Sequence, residues 1–173
     1  MPVLIALLGI AVTAYIWAHR ASRARDVLGD VPDMANDVRL AARRFGFKRN
    51  TNIHPVESIE DPRLAIAAIA TAFVELDNLP TAEDRQRLTV QLRATLRANE
   101  DEAQEMEILG RWFMAECGGA EPAIARISRK LYKLGGAEQM DPLMAVLKGA
   151  TVRELTQKQR DALEDITRAM RVR

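Results

Sequence analysis

The pattern of hydrophobic and polar positions changes sharply about twenty residues into the chain. Residues 3–18 carry no charge and are dominated by Leu, Ile, Val and Ala. As a helix, this run spans about 24 Å, slightly less than a bilayer core. Tyr15 and Trp17 stand at its end, where aromatic rings favour the headgroup level, and Arg20 can extend its charge to the interface. The pattern predicts a single transmembrane anchor over residues 1–20.

The charges around the apolar run predict its orientation. No basic residue precedes it and no small-residue cleavage site follows, which favours an uncleaved anchor over a secretory signal peptide. Arg20, Arg23 and Arg25 follow it, and positive flanks stay on the cytoplasmic side. We therefore expect a single pass in a bacterial inner membrane, with the N-terminus outside and the rest of the chain in the cytoplasm. Gly9 and Thr13 form a small-x-x-x-small pair that suits a neighbouring helix, although such pairs also occur by chance.

Residues 21–60 are predicted to form a basic juxtamembrane linker with one short amphipathic helix over 33–45. Apolar residues recur there at three- and four-residue spacing, and Arg39, Arg43 and Arg44 supply the charge. This helix either lies on anionic headgroups, where each basic side chain contributes on the order of 1 kcal/mol, or packs on the following domain with its Arg side chains in water.

From residue 61 onward the pattern is a series of helices. The first is nearly all apolar from Leu64 to Leu76, is too short to cross a bilayer, and is predicted to be buried on most sides. Five more helical segments follow, each opened by a capping residue or a proline. Their starts lie near Thr81, Asn99, Pro122, Asp141 and Thr156. No strand-like alternation is sustained, so we predict an all-α bundle of about six helices over 61–173.

Composition narrows the possible functions. The chain has 25 basic and 24 acidic residues, a balance that argues against a general nucleic-acid-binding protein. The basic excess is juxtamembrane, since residues 20–50 hold eight Arg or Lys against four Asp or Glu. His19 and His54 lie outside the predicted bundle, so a histidine-based triad or metal site is not expected within it. The single cysteine, Cys117, cannot form an internal disulfide and lies among apolar residues, which favours an inert core thiol.

Two charged surfaces are candidates for binding. Arg126, Arg129, Lys130 and Lys133 follow the spacing i, i+3, i+4 and i+7, which places them as a basic stripe on one helix face. An acidic cluster over 100–107 offers the opposite sign at the start of another helix, where the helix dipole favours negative charge. Each set is either a solvated face or an electrostatic contact with a partner or the bilayer.

The start and the end of the bundle are similar in sequence. Each has Asp-Pro, an apolar helix, a turn, and then Thr, Arg and Leu at the same spacing. The first set is Asp61-Pro62, Thr81, Arg85 and Leu88, and the second is Asp141-Pro142, Thr156, Arg160 and Leu163. We predict two helical hairpins related by an internal pseudo-repeat, each burying the face that the other exposes.

The stretch AIAAIATAFVELDNLPTAEDR, residues 65–85, resembles the TerB-like domain, the tellurite-resistance helical fold also found in membrane-anchored DjlA co-chaperones. The resemblance covers roughly 61–171 and rests on an Ala-rich helix, an Asp-Gly loop and an acidic residue seven positions on. Asn78 replaces the family's Gly, and the second repeat has Gln159 where an acidic residue would fall. Some TerB-like domains are associated with metal binding through acidic loop residues, and the matching positions are Asp77 and Asp84.

These patterns favour an interaction role, with no enzymatic activity, cofactor or small-molecule substrate expected. The leading hypothesis is a membrane-anchored scaffold or accessory subunit that contacts the lipid bilayer and another inner-membrane protein. One alternative is a TerB-like stress-response module that binds a metal ion at Asp77 and Asp84, although calcium usually gathers six or more oxygens. Another alternative is a co-chaperone-like adaptor.

Overall fold

The computed structural model describes Val38, Ala41, Phe45, residues 53–76 and residues 80–171. These residues belong to a compact unit over 37–173. All regular structure in the described part of the chain is helical, which confirms the all-α prediction there. None of the described helices has the length and apolar character needed to cross a membrane.

Several predicted features lie outside the described residues. They are the anchor over 1–20 with Gly9, Thr13, Tyr15, Trp17, Arg20 and the linker residues Arg23, Arg25, Arg39, Arg43 and Arg44, and the loop residue Asp77.

Six α-helices and two short 3-10 helices make up the described bundle. The α-helices are α1 (Pro62–Val74), α2 (Ala82–Leu96), α3 (Glu100–Glu116), α4 (Ala120–Gly135), α5 (Met140–Ala150) and α6 (Gln157–Arg171), and the 3-10 helices are Pro55–Ser58 and Gly136–Gln139. Local signals explain most of these bounds. Asn99, for example, caps α3 by accepting from the backbone N–H of Glu102 at 2.9 Å, and Gly118 and Gly119 follow α3 with positive φ.

Helix α1 is the centre of the bundle, as its apolar sequence predicts. Ten consecutive residues from Leu64 to Phe73 are buried. Half of them are alanine, so α3 and α4 can pack closely along it, and α5 adds a third neighbour. The closest approach is at Gly110 of α3, where an added Cβ would lie 2.8 Å from Thr71 Oγ1 and 3.2 Å from the Cα of Ala68.

The two repeats are not closely packed hairpins. Helix α2 packs mainly on α5, and α6 packs mainly on α4, whereas α5 and α6 make few direct contacts with each other. The helices of one repeat therefore pack less on each other than on other helices, so they are not closely packed hairpins, although α5 of the second repeat does pack on α1 and α2 of the first.

The core also includes residues from the predicted linker. Val56 and Ile59, at the first 3-10 helix, are fully buried, and His54 Nδ1 accepts from the backbone N–H of Val56 at 3.3 Å. Ala41 is buried as well, with Val38 and Phe45 half-buried against the same core. At these three positions, the apolar face of the predicted amphipathic helix packs on the bundle.

Candidate interaction surface

Helix α4 carries the predicted basic stripe opposite a buried apolar face formed by Ala123, Ile124, Ile127 and Leu131. The structure divides the stripe into two parts. One part holds the first 3-10 helix against α4, and the other part lines an open groove between α4 and α6.

Glu57 of the first 3-10 helix accounts for the first part. Lys130 Nζ donates to the backbone oxygen of Glu57 at 2.7 Å. The Glu57 carboxylate lies 3.5 Å from Arg126 Nε and 3.9 Å from Lys133 Nζ. Three of the four predicted contact residues therefore have an internal partner. Lys133 contributes least to these contacts with Glu57, because its ion pair is long and its side chain is 68% exposed.

The second part is a groove of about 410 Å³ between α4 and α6. Two alanines and one tyrosine lie in it beside charged side chains. Its described lining consists of Ala125, Arg129, Tyr132 and Lys133 from α4 and Asp165, Arg168 and Ala169 from α6.

The groove carries an excess of positive charge. It contains three cations and one carboxylate, Asp165, which lies 2.8 Å from Arg168 one turn away. Both members of that pair are more than half exposed, so the pair contributes little to stability. Among the described residues, no carboxylate lies within ion-pair distance of Arg129. The lining thus has the positive potential that attracts an anionic partner.

The acidic cluster at the start of α3 has internal functions. Glu102 accepts from the backbone N–H of Asn99 at 2.9 Å and completes a capping box. Glu100 pairs with Arg93 at 2.5 Å. Glu107, which the sequence pattern groups with these surface acids, is buried with 6% exposure. The cluster is therefore a weaker candidate for a binding surface than the groove.

Glu107 belongs to a buried polar contact that the sequence pattern does not reveal. It accepts from Thr89 Oγ1 at 3.3 Å and lies 3.4 Å from Arg111 Nη2. The charge of Arg111 also acts on Glu75 at the end of α1. Burial raises the pKa of Glu75, and the positive charge of Arg111 opposes that rise. The contacts of Glu107 join α2 and α3 and satisfy a charge that would otherwise be costly to bury.

Asp84, one of the two residues matched to a metal site, acts as a helix cap. Its Oδ2 accepts from the backbone N–H of Thr81 at 3.0 Å and from Thr81 Oγ1 at 2.7 Å, and Oδ1 pairs with Arg87. The hydrogen bonds from Thr81 lower the pKa of Asp84 to about 2, with Arg87 adding to the effect. Within the described ranges, no three His, Cys, Asp or Glu side chains are grouped to hold a metal ion.

Gln159 performs the same function in the second repeat. Its Oε1 accepts from the backbone N–H of Thr156 at 3.1 Å, and the backbone N–H of Gln159 donates to Thr156 Oγ1 at 3.2 Å. Thr-x-x-Asp and Thr-x-x-Gln are therefore two forms of one capping box. The change from Asp84 to Gln159 between the repeats preserves the cap while removing its charge.

Cys117 is half-buried at the end of α3 rather than enclosed in the core. Burial raises the pKa of its thiol, although the positive charge of Arg126 opposes this. A raised pKa leaves less of the nucleophilic thiolate, in keeping with the predicted inert thiol.

No protein-family model matches this chain, and no curated protein or solved structure matches it either. The resemblance to TerB-like domains therefore rests on the motif over 65–85.

Proposed function

We propose that this chain is a membrane-anchored, non-enzymatic interaction module that serves as a scaffold or accessory subunit of a bacterial inner-membrane protein complex. The observation that carries the proposal is the groove between α4 and α6. It combines a concave, partly apolar lining with three cations, of which Arg129 has no carboxylate within ion-pair distance among the described residues. Binding sites in proteins have this combination of shape and chemistry.

Arg129 differs from two other surface cations of the bundle, which have local carboxylate partners. Arg63 pairs with its helix cap Asp61 at 2.9 Å, and Arg87 pairs with Glu83 at 2.7 Å. These pairs are short, local and typical of a solvated helix surface. Arg129, by contrast, is exposed and lines the groove, to which α6 contributes Arg168 and its partner Asp165.

The predicted anchor gives this surface a place to act. An apolar segment over 3–18 followed by Arg20, Arg23 and Arg25 would keep the bundle at the cytoplasmic face of the inner membrane. Confinement beside a membrane partner raises the effective concentration of the groove, so even a weak contact can be largely occupied.

The metal-binding alternative has less support. Both carboxylate oxygens of Asp84 already accept hydrogen bonds or pair with Arg87. A metal ion would have to displace these contacts and thereby break the carboxylate half of the capping box of α2. The co-chaperone-like alternative names a particular partner for the same kind of module, and recovery of a chaperone with the chain would favour it.

The proposal is tested by producing the full chain with a C-terminal tag in bacteria. We expect it in the membrane fraction after an alkaline carbonate wash, and, after extraction in a mild maltoside, in a particle with a second membrane protein at fixed stoichiometry. Recovery in the soluble fraction would contradict the anchor. Recovery from the membrane as a single 19.3 kDa chain would contradict the subunit role.

A further inference from the structure

We infer that the groove between α4 and α6 binds an acidic amphipathic helix of a partner protein, with carboxylates one helical turn apart. This inference rests on the proposed function and names the kind of partner that the module would bind.

The spacing of the cations supports a helical partner. Arg129 and Lys133 are four residues apart on α4 and line the same groove, so they lie about 6 Å apart along the helix axis. Carboxylates at positions i and i+4 of another helix repeat with the same spacing. A partner helix along the groove can therefore pair two carboxylates with these cations, and an Arg can pair in a bidentate manner. Arg168 offers a third cation from the opposite wall.

The uncharged lining supports an amphipathic rather than a purely acidic partner. Ala125 and Ala169 project little from the two helices, so the backbone of a third helix can come close between them. Tyr132 packs partly on the core and lines the groove. Tyrosine is enriched at protein interfaces because its ring buries apolar area while its hydroxyl remains available for hydrogen bonding.

An anionic membrane surface fits these features less well. Lipid recognition by charge generally uses clusters of four to eight basic residues on an accessible face. The groove has three cations and places Asp165 among them, so its charge falls short of such a cluster. Discrete carboxylates on a partner helix can pair with the cations while avoiding Asp165.

A second copy of this chain is also a poor occupant through its acidic cluster. At the start of α3, Glu102 is used as a cap and Glu100 is paired with Arg93. Docking that surface into the groove would break contacts that stabilise the start of α3.

The test is direct binding of a fluorescein-labelled, end-capped helical peptide to the full chain in uncharged maltoside micelles, followed by fluorescence anisotropy. The peptide has sixteen residues, with Glu one turn apart and Ala and Leu on the adjoining face. A control peptide has the same composition with its Glu residues at i and i+2, so that total charge is unchanged but the carboxylates point in different directions.

We expect saturable binding of the first peptide and at least about tenfold weaker binding of the control. Arg129→Glu should weaken binding of the first peptide by about tenfold or more, which corresponds to about 1.4 kcal/mol. Arg129→Lys should retain most of the binding because it keeps the charge. Arg153→Glu is the matched control: Arg153 is exposed and lies outside the groove, so its reversal should change affinity less than twofold.

Three results would overturn the inference. The first is equal binding of both peptides, and the second is unchanged affinity in Arg129→Glu. The third is displacement of the peptide by phosphatidylglycerol added to the micelles, with lipid binding itself lost in Arg129→Glu, which would assign the groove to lipid. Thermal melts followed by circular dichroism establish that each variant is folded.

The outcomes for the groove and for the proposed function can be separated. A stoichiometric inner-membrane complex that persists in Arg129→Glu would support the proposed function and overturn the inference. A chain that binds the peptide through Arg129 but is found alone outside the membrane would support the peptide-binding groove and overturn the proposed function.

Discussion

Asp61-Pro62 and Asp141-Pro142 occupy equivalent places in the two repeats, but only the first dipeptide caps a helix. Asp61 Oδ1 accepts from the backbone N–H of Arg63 at 2.8 Å, and Pro62 is the first residue of α1. Asp141 already lies inside α5, because a 3-10 helix over Gly136–Gln139 leads directly into it. A capping residue is needed only where the preceding chain is extended, so the same dipeptide has different roles in the two contexts.

The helices that follow these dipeptides differ in the same way. Helix α1 buries ten consecutive residues, whereas α5 buries four residues at spacing i, i+3, i+4 and i+7, namely Leu143, Val146, Leu147 and Ala150. The cause is the number of neighbours: α3, α4 and α5 surround α1, whereas α5 packs chiefly against α1 and α2. The comparison shows that burial depends on position in the bundle more than on the local repeat.

The largest expected effect on stability comes from enlarging one alanine side chain in α1 and comparing it with the same change in α5. Ala68→Leu adds three carbon atoms to α1 where α3 approaches most closely, and it should lower the free energy of unfolding by about 3 kcal/mol or more. Ala145→Leu makes the same change at an exposed position of α5 and should alter stability by less than about 0.5 kcal/mol. Urea unfolding followed by circular dichroism measures both. Similar losses in the two variants would contradict the burial difference between α1 and α5.

Two glycines, Gly110 of α3 and Gly149 of α5, test the difference between close packing on α1 and the looser surroundings of α5. Gly110→Ala would press against Thr71 and the backbone of Ala68 in α1, and it should lower the free energy of unfolding by about 1–3 kcal/mol. At Gly149 of α5, the three atoms nearest to an added Cβ all belong to the flexible side chain of Gln91, which we expect to move aside. Because alanine favours helix over glycine by about 1 kcal/mol, Gly149→Ala should be neutral or slightly stabilised. The midpoint of thermal unfolding should fall in Gly110→Ala and stay the same or rise slightly in Gly149→Ala. A loss of stability in Gly149→Ala as large as that in Gly110→Ala would show that Gln91 cannot move.

The two Asp-Pro dipeptides can be compared directly. Asp61→Ala removes a side-chain cap and should lower the free energy of unfolding by about 1 kcal/mol. Asp141→Ala removes no cap and should cost at most about half as much, through loss of a favourable charge near the helix start. Chemical denaturation at neutral pH measures the difference, and equal costs would indicate that Asp141 also caps a helix.

The smallest expected effect concerns the capping boxes. The pKa of Asp84 is about 2, compared with an ordinary value of 3.8, so its charge stabilises the fold above pH 4, and this contribution is lost as the pH falls toward 2. Asp84→Gln copies the second repeat, keeps the Thr-x-x-Gln cap and does not titrate. The stability of the natural chain relative to this variant should therefore decline between pH 5 and pH 2. Urea midpoints at several pH values measure the difference, and a constant difference would contradict this account.

Local chemistry allowed much of the fold to be predicted. The caps at Thr81, Asn99 and Thr156 and the glycines after α3 each act within a few residues, so their effect is visible in the sequence. The continuous apolar run of α1 correctly predicted a central helix. The start of α5 was predicted at Asp141, within one residue of Met140, but the sequence pattern did not predict the 3-10 helix over Gly136–Gln139 that leads into it.

The candidate site was only partly predictable. Helical spacing placed Arg126, Arg129, Lys130 and Lys133 on one helix face, and all four lie on α4. The spacing did not show that Glu57, seventy-three residues before Lys130, would hold part of that face, or that α6 would form a groove with the rest. Such contacts join distant parts of the chain and have no local signature.

The sequence by itself determined the helical class, most helix ends and the basic face of α4, because these depend on capping, side-chain size and periodicity within one or two turns. Only the tertiary structure decided that Val56 and Ile59 enter the core, that Glu107 is buried, and which cations of α4 remain free to bind. Burial and charge pairing depend on which helices become neighbours. That choice is made by the packing of the whole bundle around α1.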